Sequence, residues 1–166
     1  NSTATLADAI SRVYGSGYDF GIQTGDAIDN VTNFGQWRGY LTVVNSGKLG
    51  GTDLIHTLGN HEYYGDANGE VSKGMFGLAE SSAGSYNSYE YGSMYIGVIN
   101  NGGDILAALE EAKADTSSTK CVWKALVMHE PVYGTESLME ETKRIKVVNA
   151  IEEAGFDVVF SGDDHT

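Results

Sequence analysis

Four short strings in this chain carry side chains that can hold a cation or move a proton: Gly25-Asp26, Gly59-Asn60-His61-Glu62, His129-Glu130-Pro131 and Gly162-Asp163-Asp164-His165. In the second string, Asn60 offers a neutral oxygen to a metal, and His61 can exchange a proton near neutral pH. Glu62 is placed to hold the imidazole in one orientation. Asp26, Asn60, His129 and His165 together make a mixed oxygen–nitrogen donor set of the kind that takes Zn, Mn or Fe rather than copper on sulfur. A carboxylate in such a set can bridge two cations. Paired cations roughly 3.5–4 Å apart suit in-line displacement at phosphorus. Taken one at a time, Asp26 could equally form a turn or cap a helix, His129 could be a turn histidine, and His165, near a chain end, could be a lone histidine with no task. The case rests on all of them following apolar runs. His56 sits inside such a run with no acidic or glycine neighbour, and reads as structural.

The elements that must position these residues follow from hydrophobic periodicity. Leu54 to Leu58 is an apolar run that reads as a buried strand, and Gly59 opens a tight loop at its C-terminal end. Tyr18–Thr24, Cys121–Met128 and Val158–Phe160 read as strands leading to Asp26, His129 and the final loop. Parallel strands deliver their C-terminal loops to one sheet edge, where open α/β sheets bind ligands. Helices are expected over 3–14, within 32–46, over 105–114 and over 137–154, the last capped by Gly155, with a shorter helical stretch near 71–79. Tyr86–Tyr91 and Met94–Asn100 alternate around Gly92-Ser93, which predicts a β-hairpin. The alternation of strands and helices, plus one hairpin, predicts a largely parallel α/β sheet with an antiparallel part, in a single domain over 1–166.

Composition bounds the rest. The 166 residues carry 23 acidic and 10 basic side chains, a net charge of −13, which opposes a nucleic-acid duplex or an anionic membrane as partner. No run of 18 apolar residues occurs, so no membrane span is expected. The single cysteine, Cys121, lies in an apolar segment and reads as a small core residue. The many Gly, Tyr, Ser and Asn residues lean toward an exported or cell-surface bacterial protein. No signal peptide is visible, and the start at Asn1 without Met points to trimming upstream.

The order of the strings resembles the calcineurin-like metallophosphoesterase superfamily, with a flavour of its purple acid phosphatase branch. That family shows in turn Asp-x-His, Gly-Asp, Gly-Asn-His-Asp/Glu, a lone His before x-Pro, and Gly-His-x-His. The chain carries Gly25-Asp26, Gly59-Asn60-His61-Glu62, His129-Glu130-Pro131 and Gly162-Asp163-Asp164-His165 in that order. The resemblance covers nearly the whole chain, and implies a helix-flanked β-sandwich. It further implies that Asp26 bridges two divalent cations, that Asn60 and His129 bind one, and that His165 binds the other. His61 would protonate the leaving oxygen or stabilise the transition state, with Glu62 orienting it. A metal-bridging hydroxide would attack the phosphorus of a phosphorylated small molecule or nucleotide, a monoester or diester. The chain departs from the pattern in three ways: Asp-x-His is absent, Asp163 stands where the family has a histidine, and the chain stops at Thr166. These departures predict a fold incomplete at both termini, weak activity or none, and Asp163 as a changed metal ligand. They also motivate an alternative, a non-catalytic phosphoesterase-like module for binding or scaffolding.

Overall fold

A computed structural model describes residues 2–13, 17–46, 53–79, 85–135 and 139–165. The elements in chain order are α1 (Ser2–Val13), β1 (Phe20–Gln23), α2 (Phe34–Val44), β2 (Asp53–His56), a 3-10 turn (His61–Tyr63) and α3 (Glu70–Phe76). There follow β3 (Tyr86–Tyr91), β4 (Met94–Ile99), α4 (Ile105–Ser118), β5 (Trp123–Met128), α5 (Glu141–Glu153) and β6 (Val158–Phe160).

The strands fall into two sheets among the described residues, not one. β1 and β2 form a parallel pair, and β3-β4-β5-β6 form a mixed sheet in which only the β3–β4 hairpin is antiparallel. Side-chain alternation along the strands explains how they stack. Ile96 and Val98 of β4 and Ala125 and Val127 of β5 point one way, onto Ile55, Phe20 and Ile22 of the small sheet. Ile99, Leu126 and Met128 point the other way, into a core closed by Ala108, Leu109, Ala112, Val147 and Ile151 of α4 and α5. On the far side of the small sheet, His56 lies against Tyr40 of α2 and Phe76 of α3. The order of layers is therefore helices, sheet, sheet, helices, a β-sandwich flanked by helices.

Element ends follow local chemistry. Asp104 caps α4 by accepting from Leu106 N and Ala107 N, and Asn33 caps α2 through Gly35 N and Gln36 N. Glu140 caps α5 in the same way through Thr142 N and Lys143 N. The helix expected from 137 thus begins at 141; residues 137 and 138 lie outside the described residues. At its other end Ala154 is the cap, and Gly155 takes the left-handed turn beyond it, φ 71°. β5 starts at Trp123, in register with Met94, rather than at Cys121, and Val122 N and Trp123 N both donate to Ser93 O at the hairpin turn. Cys121 is a free, half-buried thiol.

Candidate metal centre

The loops after β1, β2 and β6 each carry a glycine followed by a candidate ligand, and the three glycines make the close approach possible. A Cβ on Gly25 would fall on the His129 ring, and one on Gly59 would fall on Asp26 Oδ1 with His129 Cε1 at 2.8 Å. A Cβ on Gly162 would meet Thr24 O at 2.8 Å. The backbone is also held in unusual conformations at this point. Asp26 (φ 56°) and Asp163 (φ 62°) are the non-glycine residues in the left-handed region among the described residues, and both aim a carboxylate at the same imidazole. Aspartate tolerates that region better than most side chains, yet the strain must be held by its surroundings.

That imidazole is His129, at the end of β5 and 2% exposed. Its Nδ1 lies 2.7 Å from Thr24 O. A carbonyl oxygen only accepts, so Nδ1 carries the hydrogen, and Nε2 of the neutral ring presents a lone pair. Nε2 faces Asn60 Oδ1 at 3.1 Å, Asp26 Oδ2 at 3.3 Å and Asp163 Oδ1 at 3.4 Å. Four acceptors cannot satisfy one another. Either a proton on Nε2 or a cation among the four must balance them. Without a cation, a proton on Nε2 is what can balance them. Burial pulls the His129 pKa down, but the Asp26 and Thr24 hydrogen bonds and the charges of Asp26 and Asp163 outweigh it, and the net shift is upward. Burial likewise pushes Asp26 up, and the His129 and His61 contacts outweigh that and lower it. Ligand atoms from Asp26, His129 and Asp163 all lie within 4.8 Å of one another. With the Asn60 carbonyl they form one nitrogen and three oxygen donors, a set that fits a hard or borderline divalent cation.

Glu62 has a different task from the one its position beside His61 predicts. It is fully buried, and its carboxylate takes its hydrogen bonds from backbone N–H groups. Oε2 accepts from Gly59 N (2.7 Å) and Asp26 N (2.8 Å), while Oε1 accepts from Ala27 N (2.8 Å) and Ile28 N (3.4 Å). Burial pushes its pKa up and the surrounding N–H groups pull it back, for a net rise. Since every partner is a donor, the ionised carboxylate is the form this cradle fits. Glu62 thus ties the loop after β1 to the loop after β2. The imidazole of His61 is oriented instead by Asp29 O, 3.0 Å from Nδ1, which turns Nε2 toward the cluster, 3.9 Å from Asp26 Oδ2. His61 N also donates to Asp26 Oδ1 at 3.1 Å.

Of the residues singled out from sequence, Asp26, Asn60, His129 and Asp163 converge, and His61 stands beside them. His165 does not join them; it is exposed. The left-handed turn at Asp163 sends the next residue outward, where Asp164 accepts from Thr135 N (2.5 Å) and from Thr135 Oγ1 (3.0 Å). The segment is thereby anchored away from the cluster. His56 is structural: its ring stacks on Phe76 with centroids 4.0 Å apart, Nε2 is 3.1 Å from the Tyr40 hydroxyl, and burial drops its pKa to about 4. Sequence reasoning missed three groups that hold the site: the carbonyls of Thr24 and Asp29, and the Asp164 carboxylate. The first two are backbone atoms with no signature in residue type; Asp164, flanked by Asp163 and His165, offers only a second acidic side chain in the motif.

No helix among the described residues is long and apolar enough to cross a membrane. No curated protein matches the chain. The model of the calcineurin-like phosphoesterase family matches residues 1–166, the full length. The chain therefore belongs to the calcineurin-like phosphoesterase family, whose members are metal-dependent phosphoesterases in general.

Proposed function

We propose that this chain binds one divalent cation, Zn, Mn or Fe, through Asp26, Asn60, His129 and Asp163, and hydrolyses a monoester or diester of a phosphorylated small molecule or nucleotide. The observation that carries the reading is the His129 Nε2 lone pair facing three oxygen acceptors, with its tautomer fixed by Thr24 O. A divalent cation held there supplies charge to the phosphoryl oxygens and lowers the pKa of water. The chain's own residues divide the remaining work. Asp26 uses Oδ2 toward the cluster and Oδ1 to fix the His61 backbone, so the candidate ligand and the candidate acid move together. His61 keeps its Nδ1 hydrogen on Asp29 O, which leaves Nε2 free to hold and release a proton. From Nε2 it protonates the leaving oxygen, a contribution of typically about 10²–10⁴ in rate. Its side chain is 33% exposed, enough for substrate and solvent to reach it.

One observation favours a second reading, a non-catalytic module. His165 stands apart from the cluster, so donors for a second cation are not assembled among the described residues. Hydrolysis of p-nitrophenyl phosphate with Mn²⁺ decides between the two. Turnover that is lost in Asp26→Asn and falls at least about tenfold in His61→Ala supports the enzyme. Tight Mn²⁺ binding with no turnover in the unmodified chain supports the module and overturns the enzyme.

A further inference from the structure

Tyr64 follows the 3-10 turn that carries His61, and no reading of the motif gives it a role. Its backbone is pinned at both ends: Tyr64 N donates to His61 O at 3.1 Å, and Tyr64 O accepts from the buried Val31 N at 3.1 Å. The side chain reaches back over the turn. Its hydroxyl accepts from Asn60 Nδ2 at 3.0 Å, and its ring lies against the His61 imidazole with centroids 4.6 Å apart at 51°. Asn60 therefore has its amide nitrogen engaged on the outer side and its Oδ1 turned inward, toward His129 Nε2. The contact tethers the carboxamide to the turn, and in the orientation observed it takes up the amide nitrogen, which is no metal ligand.

We propose that Tyr64 is a positioning residue for both halves of the site: its hydroxyl tethers the Asn60 carboxamide beside the metal position, and its ring seats the His61 imidazole. The proposal rests on the metal reading given above. Partners that orient a ligand typically change metal affinity about 10–100-fold when removed. Tyr64 is 47% exposed, so its loss opens no cavity in the core.

The test uses three readouts on the unmodified chain, Tyr64→Phe and Tyr64→Leu. Calorimetric titration with Mn²⁺ should show affinity at least about tenfold weaker in Tyr64→Phe, with an unchanged melting midpoint without metal. The His61 Hε1 chemical shift, a probe of ring stacking, should be retained in Tyr64→Phe and move in Tyr64→Leu. Mn²⁺ affinity in Tyr64→Phe within twofold of the unmodified chain overturns the hydroxyl's role; an unmoved Hε1 shift in Tyr64→Leu overturns the ring's. If the unmodified chain takes up no Mn²⁺, the metal reading fails by itself, and the Asn60 side-chain amide then decides the positioning claim. Solvent exchange of its Nδ2 protons accelerates severalfold in Tyr64→Phe if the hydroxyl holds the group, and unchanged exchange overturns the proposal.

Discussion

Replacing Glu62 by glutamine separates the structural account of this carboxylate from a catalytic one. The wild-type side chain presents two acceptor oxygens to four backbone N–H groups, two on each oxygen. A glutamine of the same shape presents one oxygen and one NH₂. Whichever way the amide turns, its NH₂ confronts two backbone donors in a fully buried position. A buried donor left without an acceptor costs about 1–3 kcal/mol. Two of them give a loss of about 2–6 kcal/mol, against the roughly 5–15 kcal/mol that holds a typical domain. Urea unfolding followed by tryptophan fluorescence measures this directly; the buried Trp37 reports on the neighbouring core. The expected result is a lower midpoint with an unchanged slope. Mn²⁺ affinity should fall as well, because the same four bonds register Asp26 against Gly59-Asn60. A stability loss below about 1 kcal/mol, with only turnover affected, would refute the cradle and return Glu62 to the role of orienting His61.

Gly59→Ala places a methyl against Asp26 Oδ1 and His129 Cε1, so Mn²⁺ binding should be lost while the chain still folds; calorimetry together with circular dichroism checks both. His56→Gln should leave metal binding intact and alter the pH dependence of stability. The folded His56 pKa is about 4 and the unfolded value 6.5, so its neutral form contributes stability fully present above pH 6.5 and lost as pH falls toward 4. At about 1.4 kcal/mol per pH unit, that loss approaches about 3 kcal/mol. The urea midpoint of the unmodified chain should therefore fall more steeply than that of His56→Gln between these pH values, and parallel curves would contradict the assignment. Asp163→Asn keeps a side chain that tolerates φ 62° but removes the charge, so Mn²⁺ should bind more weakly without loss of fold, measured by the same titration.

The strands, the hairpin and most helices were legible because each is a separate hydrophobic pattern with its own period. The split into two sheets was less so. Alternation in β4 and β5 shows two apolar faces, but only the folded chain shows that one meets β1 and β2 and the other α4 and α5. At the site, residue type located Asp26, Asn60 and His61 because glycine and a ligand recur after apolar runs, and His129 because it directly ends one. The divergence of His165 was not legible. It depends on one left-handed residue, Asp163, and on a carboxylate–threonine contact 29 residues away in sequence. The role of Glu62 was hidden for a related reason: adjacency to His61 says nothing of partners, and the Glu62 carboxylate meets four backbone N–H groups while the His61 ring meets Asp29 O.

The central claim is that Asp26, Asn60, His129 and Asp163 hold a divalent cation whose place is otherwise taken by a proton on His129. Calorimetric titration of the unmodified chain with Mn²⁺, alongside His129→Gln and Asp26→Asn, tests it most directly. The account predicts one tight cation per chain, release of a proton on binding at pH near 6, and no tight binding in either variant. Tight binding that survives both substitutions, or the absence of any binding by the unmodified chain, would contradict it.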